Sequence, residues 1–271
     1  MDFDSCLNEF NKYVANYDLK IAENKYKYDH TLRVIEFTKT ICKNENFNEE
    51  ETNIALICSL LHDIARFEEW TKYHSWNEID HGDLGYEILS NKNYILKFVS
   101  DKYKTTVLST VKYHNKLEIP DELDDFTLKM LKVVRDADKL DILNTQYNPY
   151  NENSLTLNLD YSKKYNLNSF IIDNFINEKM LARDKVTNIC EDIIFYLSYL
   201  FDMNYRTSFK IIYDLKVVDI KLELLKKVMN DDEKYKILEI KAKDYLESNI
   251  KLWGETWKKE IYLYLFAFWL L

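Results

Sequence analysis

The chain has 271 residues, a formal net charge of -9, 46% hydrophobic and 31% charged side chains. That balance is the balance of a soluble globular chain long enough to bury a real core, and it excludes a disordered one. Only 3 glycines and 2 prolines occur, too few for the turns of a sheet-rich fold or for a glycine-cradled nucleotide loop, so the composition points to an all-α protein. The acidic balance argues against a grip on a nucleic-acid polymer, which needs a positive surface to displace counterions. It leaves room for a small anionic substrate held by a metal and a few basic side chains. The four cysteines, Cys6, Cys42, Cys58 and Cys190, form no CxxC pair. Cys42 and Cys58 sit in apolar helical patterns, where a cysteine behaves as a small buried hydrophobe. The acidic start MDFDSCLNEF lacks the basic-then-apolar order of a signal peptide, so a cytoplasmic, reducing location is expected.

In chain order, residues 1–29 read as an introductory helix, with Leu7, Phe10 and Val14 at helical spacing, followed by a polar stretch. The next helix covers His30 to Cys42, where Val34, Phe37 and Ile41 mark one face. His30 lies one turn before Val34 on that face and so points inward. Asn48 with Glu51 three residues on makes a capping-box start for a helix running through Ile54, Ile57, Leu60 and Leu61 into His62-Asp63. Residues Glu68 to His81, rich in Trp, Tyr and charge, read as a long irregular rim. Helical pattern returns at Leu84 to Leu89, Lys104 to His114 and, beyond Pro120, Phe126 to Leu143. After a polar patch from Asn144 to Asn168, the pattern is helical to the end, with Phe195 to Phe209 expected to be buried. Lys221 to Lys243 reads as one amphipathic helix with a solvated charged face. The terminal run Ile261 to Leu271 has 11 apolar residues. A membrane span needs about 20, so no crossing is expected. The run reads as an element packed on the core or on a second subunit, which invites a homodimer, with an interfacial anchor as the alternative. One domain over 1–271 is expected, with a core at about 25–145 and a helical extension at about 168–271.

The five histidines, His30, His62, His74, His81 and His114, all fall in the first half, and four lie at the ends or inward faces of expected helices. An adjacent His62-Asp63 closing an apolar helix is odd by core logic, because a buried unpaired carboxylate costs several kcal/mol and demands a cation or strong donors. A second helix offers Asp136, Asp138 and Asp141. Imidazole and carboxylate without cysteine suit a divalent ion such as Mn, Fe, Mg, Co or Ni, one or two of them, better than a structural zinc.

His30, then His62-Asp63, then the Asp of Ala137-Asp138-Lys139-Leu140 resembles the H…HD…D signature of the HD-domain metal-dependent phosphohydrolase superfamily. The HD dipeptide alone is common by chance; the ordered set is specific. LLHDIARFEEW, IDHGDLGYEIL, YHNKLEIP and RDADKLDIL resemble successive blocks of a branch of small bacterial HD proteins, with a weaker match in LFDMNYRTSF. The resemblance implies an HD-type helical bundle with additional C-terminal helices. It implies His30, His62, Asp63 and Asp138 as metal ligands, Asp138 being taken over Asp136 because the matching ligand precedes a basic-apolar pair. Asp136 is then left to orient the site or cap a neighbour. His81 and His114 match positions that hold a second metal or act as general acid, and Lys139 matches a phosphate-contacting lysine. Arg66, about one turn past Asp63, reaches for a phosphate or pairs with Glu69 or Asp63; Lys139 reaches substrate or snorkels to solvent; Lys116 adds charge to the rim. His74 reads as a solvated side chain, and the aromatics Phe67, Trp70, Tyr73 and Trp76 as core or as a base-stacking wall.

The function implied is hydrolysis of a phosphate ester or anhydride in a small nucleotide-like substrate. The alternatives are a nucleotide-sensing module without turnover and a cyclic-dinucleotide phosphodiesterase. The last is weakened by the absence of a Gly-Tyr-Pro motif: Gly85-Tyr86 is followed by Glu87.

Overall fold

Helix follows helix through the computed structural model, which describes residues 2–76, 78–91, 95–154 and 160–251. The helices are α1 (Phe3–Val14), α2 (Ala22–Asn44), α3 (Glu49–Leu61), α4 (Ala65–Tyr73), α5 (His81–Asn91), α6 (Asp101–Tyr113), α7 (Asp125–Thr145), α8 (Ser169–Ile176), α9 (Ile189–Leu197), α10 (Arg206–Asp214), α11 (Val217–Val228) and α12 (Asp232–Lys251). Among the described residues there is no strand, and the one sheet-like contact is an isolated bridge between Tyr165 and Met229. The protein is all-α, as its composition requires. Nor is any described helix long and apolar enough to cross a membrane. The terminal run 261–271 lies outside the described residues.

Two long helices, α2 and α7, form the spine and pack against each other, with α3 laid on both. On α2 the buried positions Asn24, Lys27, His30, Thr31, Val34, Phe37, Thr38 and Ile41 recur every three or four residues, so the stripe that grips the core also carries His30 inward. The helix starts at Ala22, eight residues ahead of His30. Asn48 accepts the Glu51 amide while Glu51 reaches back to the Asn48 amide, closing the expected capping box of α3. From Ile54 to Leu61 every residue of α3 is buried, and a helix apolar on all sides delivers His62-Asp63 to the protein's centre. Helix α6 packs on α5, α7 and α3; helices α8 to α12 cluster beyond α7, with α10 touching both α7 and α2. All four cysteines are buried and free, and burial pushes the Cys42 and Cys58 thiols up to about 12.

Two expectations are corrected. The stretch expected to be irregular from Glu68 to His81 is helical up to Tyr73, and α5 begins at His81 itself. It holds no glycine or proline before Gly82, and Arg66 pairs with Glu69 one turn on at 2.9 Å, so nothing breaks the helix until His74 turns left-handed at φ 51°. The run from Lys221 to Lys243 is two helices rather than one, split at Met229 to Asp231, where the Tyr165 amide and carbonyl pair with Val228 and Asn230. Nor is Lys221 on a solvated face: it is fully buried, and its Nζ donates to the Leu143 and Gln146 carbonyls at 2.7 and 2.6 Å. Those carbonyls close α7 and lack intrahelical partners, so the ammonium serves as a cap from a neighbouring helix. Scarcity of glycine shows in the same places. Among the described residues, the five non-glycine positions with positive φ, Asn46, His74, Tyr147, Glu178 and Lys216, all stand at helix ends, where glycine would be usual.

Candidate metal centre

His30 from α2, His62 and Asp63 from the α3–α4 junction and Asp138 from α7 converge in the core, with His30, His62 and Asp63 at most 3% exposed. His30 Nε2 lies 3.2 Å from Asp138 Oδ1, 3.5 Å from Asp63 Oδ2 and 3.3 Å from His62 Nε2. His62 Nε2 is 3.7 Å from both carboxylates. Donor atoms each about 2.1 Å from one ion stand roughly 3.0–3.4 Å apart, so these spacings are close to those of a shared coordination sphere.

Hydrogen bonding at the far side of each ring decides what faces inward. His62 Nδ1 donates to the Ser59 carbonyl at 2.7 Å, and His30 Nδ1 lies 2.6 Å from Asp141 Oδ2, an acceptor. Both rings therefore carry their proton on Nδ1 when neutral, and both Nε2 lone pairs point at each other and at two carboxylates. Acceptor facing acceptor in a buried site needs a cation between them, either a metal or a shared proton. Asp141 is in turn gripped by Arg33, through Nε at 2.6 Å and Nη2 at 3.0 Å. The Arg33–Asp141–His30 chain is the outer support that ligating histidines require.

A second pair adjoins the first. His81, first residue of α5, and His114, just past α6, bring their Nε2 atoms within 3.1 Å of each other and 3.4 and 3.7 Å from Asp63 Oδ1. His114 Nδ1 donates to the Val111 carbonyl at 2.7 Å, so its Nε2 also offers a lone pair inward. Asp63 thus turns one oxygen to each pair, and three overlapping groups, His30/His62/Asp63, His62/His114/Asp138 and Asp63/His81/His114, could each hold an ion. The approach of α5 to α6 depends on glycine. A Cβ at Gly82 would stand 2.5 Å from the Lys112 carbonyl, and one at Gly85 2.8 Å from Val111 Cγ1.

Burial alone would raise the Asp63 carboxyl, but the Lys27 ammonium, followed by His62, His114 and Arg66, holds it well below the usual range. For Asp138, His30 and His62 overcome burial in the same way. Burial and Lys27 oppose charge on His30, yet Asp138 and Asp141 raise it; burial lowers His114 and, helped by Arg66, takes His81 well below its ordinary value.

The remaining expected residues divide. Arg66 sits beside the centre, with Nε 3.5 Å from Asp63 Oδ1, while its Nη1 is spent on Glu69 at 2.9 Å and on the Trp76 carbonyl at 2.7 Å. Lys139 is buried rather than snorkelling, and its Nζ pairs with Asp202 at 2.9 Å. Lys116 is held by Asp80 and Asp83 at 2.5 and 2.9 Å, and His74 is exposed. Asp136 caps a neighbour: it accepts from the Asn204 and Tyr205 amides and Ser208 Oγ at the start of α10. Of the aromatic set, Phe67 is core, meeting Phe10 and Tyr13 edge-on and Tyr17 at a tilt and closed to any ligand, whereas Trp76 stands 6.0 Å from the Tyr26 ring beside the centre. Two site residues carry no signal in the sequence, Arg33 and Lys27, whose Nζ is 2.7 Å from Asp63 Oδ2; Asp141 belongs to the acidic set expected on this helix, but its hold on His30 shows only in the structure. Lys27 sits one turn before His30 on the same buried stripe, which is the only trace it leaves.

Residues 28–143 match the HD domain family. The chain carries an HD domain. It runs from within α2 to within α7 and contains the candidate ligands His30, His62, Asp63, His81, His114 and Asp138 with Arg33 and Asp141, while Lys27 stands one residue ahead of it. HD domains belong to a superfamily of metal-dependent hydrolases, and here the domain brings together a His/Asp cluster able to hold a metal. No curated protein and no solved structure matches the chain.

Proposed function

We propose that the protein is a metal-dependent phosphohydrolase acting on a small nucleotide-like phosphate ester or anhydride. The observation that carries this reading is the inward convergence of four ligand atoms whose rings are locked in the ligating tautomer, with Asp63 shared by a second histidine pair. The donor set fits a divalent ion: neutral imidazoles and carboxylates, without thiolate, suit Mn, Fe, Mg, Co or Ni. His30, His62, Asp63 and Asp138 would hold the first ion, and Asp63, His81 and His114 a second. Such an ion supplies Lewis acidity, drawing charge from a phosphoryl oxygen and acidifying water near neutral pH.

The chain's own groups do the rest. Arg33 and Asp141 hold His30 in one tautomer and orientation, so the site needs little rearrangement when it fills. Helix α3 and its buried apolar face exclude water from the inner wall, which strengthens electrostatic contacts there. Arg66, fixed by Glu69 and the Trp76 carbonyl, keeps a guanidinium edge beside Asp63 and facing the second histidine pair.

The test is phosphate release from nucleoside mono-, di- and triphosphates, cyclic dinucleotides and tripolyphosphate, each with Mn, Mg, Fe, Co and Ni. Turnover of one substrate class, lost in Asp63→Ala with helical content retained, is expected. Full turnover in Asp63→Ala would sink the metal assignment, and bound metal with no turnover on any substrate would sink the hydrolase reading.

A further inference from the structure

Lys27 is only 9% exposed, and among the described residues its ammonium has one hydrogen-bond partner, Asp63 Oδ2 at 2.7 Å. An ammonium carries three N–H donors, so two remain unsatisfied in a nearly dry place. The group lies 5.4 Å from the Trp76 ring centre and 6.0 Å from that of Tyr26, within cation–π range. Trp76 brings a second unsatisfied donor, its buried Nε1–H, and Arg66 a third at Nε. Buried donors without acceptors are costly unless something supplies the acceptors. Two of them flank one carboxylate, Lys27 at Asp63 Oδ2 and Arg66 Nε 3.5 Å from Oδ1, and the Trp76 ring adjoins Lys27.

Charge says what the acceptor is. Asp63, Asp138, Asp141 and the Glu69 that pairs with Arg66 face three cations, Lys27, Arg33 and Arg66, in direct contact with them or with their histidines. That set carries one net negative charge, so a divalent ion leaves it positive, and an anion completes it. The approach is one-sided as well. Beyond Arg66, the groove of about 390 Å³ between α4 and α5 is lined by Glu68, Glu69, Asp80, Asp83 and Glu87 with Lys72; Lys116 on Asp80 and Asp83 and Arg66 on Glu69 offset part of that charge, and the net acidic lining disfavours a phosphate. The Tyr26–Lys27–Trp76 wall is the edge that attracts one.

We propose that Lys27 is a substrate-contacting residue, its spare N–H groups taking a non-reacting oxygen of a phosphoryl group held beside Asp63, with the Trp76 indole N–H as a second donor. This rests on the phosphohydrolase reading above and adds to it a recognition element from the helix that also supplies His30. Lys27→Met keeps the stem and removes the charge; Lys27→Arg keeps the charge; Trp76→Phe keeps a ring and removes the N–H.

The experiment measures Mn(II) affinity by calorimetry, then inorganic phosphate affinity of the Mn-loaded protein, then KM on whichever substrate the wild type turns over, with helical content checked for each variant. Lys27→Met is expected to bind Mn(II) as tightly as the wild type or tighter, while phosphate affinity falls about 10- to 100-fold. Lys27→Arg should recover part of it, and Trp76→Phe should lose less. If Lys27→Met loses Mn(II) and phosphate together, or binds phosphate unchanged, the inference is overturned, and wild-type turnover leaves the hydrolase reading standing. If Lys27→Met fails to fold, the same comparison is made on Lys27→Gln and Trp76→Phe. A wild type that neither binds phosphate nor releases it from any substrate overturns both.

Discussion

Two carboxylates stand two residues apart on α7, Asp136 fully buried and Asp138 partly so, and meet opposite surroundings. At the α7–α10 junction, Asp136 accepts from two backbone amides, the Asn204 side chain and the Ser208 hydroxyl, and both its oxygens are satisfied by the protein alone. On the face toward α2 and α3, Asp138 meets imidazole Nε2 atoms that already hold lone pairs toward it. The first group is a finished structural joint. The second faces lone pairs that call for a cation, and that contrast separates a helix cap from the proposed ligand where the residue type does not.

The contrast can be broken by substitution. The largest expected effect is in Asp138→Asn, which removes a charged ligand atom: Mn(II) affinity should fall at least about 100-fold, more than a change in supporting groups costs, as read by calorimetry. Should Asp136→Asn lose the metal and Asp138→Asn keep it, the two roles have been exchanged. Next comes Asp141→Asn, which keeps the shape but weakens the grip on His30 Nδ1–H and Arg33; metal affinity should drop roughly 10- to 100-fold with little change in folding. Unchanged affinity would show that His30 needs no outer support. Asp136→Asn should leave metal binding alone and lower stability by about 1–3 kcal/mol, since an amide cannot accept from every donor now aimed at the carboxylate; denaturant unfolding with normal stability would remove it as the cap of α10.

The last effect is read in pH, on the far side of α7. Burial takes Lys221 down to about 7 from an ordinary 10.5. Between those values the unfolded chain binds more protons than the folded one, so this residue's contribution to stability rises as pH climbs from about 7 toward 10 and is least favourable below 7. The slope due to this single group approaches about 1.4 kcal/mol per pH unit. Lys221→Met should flatten the profile relative to the wild type, and an identical slope in the two proteins would show that Lys221 keeps its proton when folded.

The inward histidines and the capping box at Asn48 are legible in the sequence because they combine a periodicity with a residue type that core logic disfavours. The supporting groups are not. Lys27, Arg33 and Asp141 are charged residues on long helices, which in a one-dimensional pattern are indistinguishable from a solvated face; only the crossing of α2 and α7 turns them inward. Lys221 was misplaced for the same reason. Aromatic and charged density hid the helix at Ala65 to Tyr73, although no helix breaker lies within it. LFDMNYRTSF resembled the family weakly, and its purpose emerges only in three dimensions: Asp202 pairs with Arg135 and Lys139, while Asn204, Tyr205 and Ser208 serve Asp136. Arg135 then donates to the His114 carbonyl at 3.0 Å, so a segment remote in sequence steadies one of the inner histidines.

Gly82 and Gly85 let α5 come close enough to α6 for His81 to reach His114. A single methyl group at Gly82, pressed against the Lys112 backbone, would prise those helices apart while leaving α2, α3 and α7 where they are. The number of ions such a centre can seat is therefore governed by two hydrogen atoms on glycine as much as by any imidazole. Evolution could retire the second seat without touching a ligand.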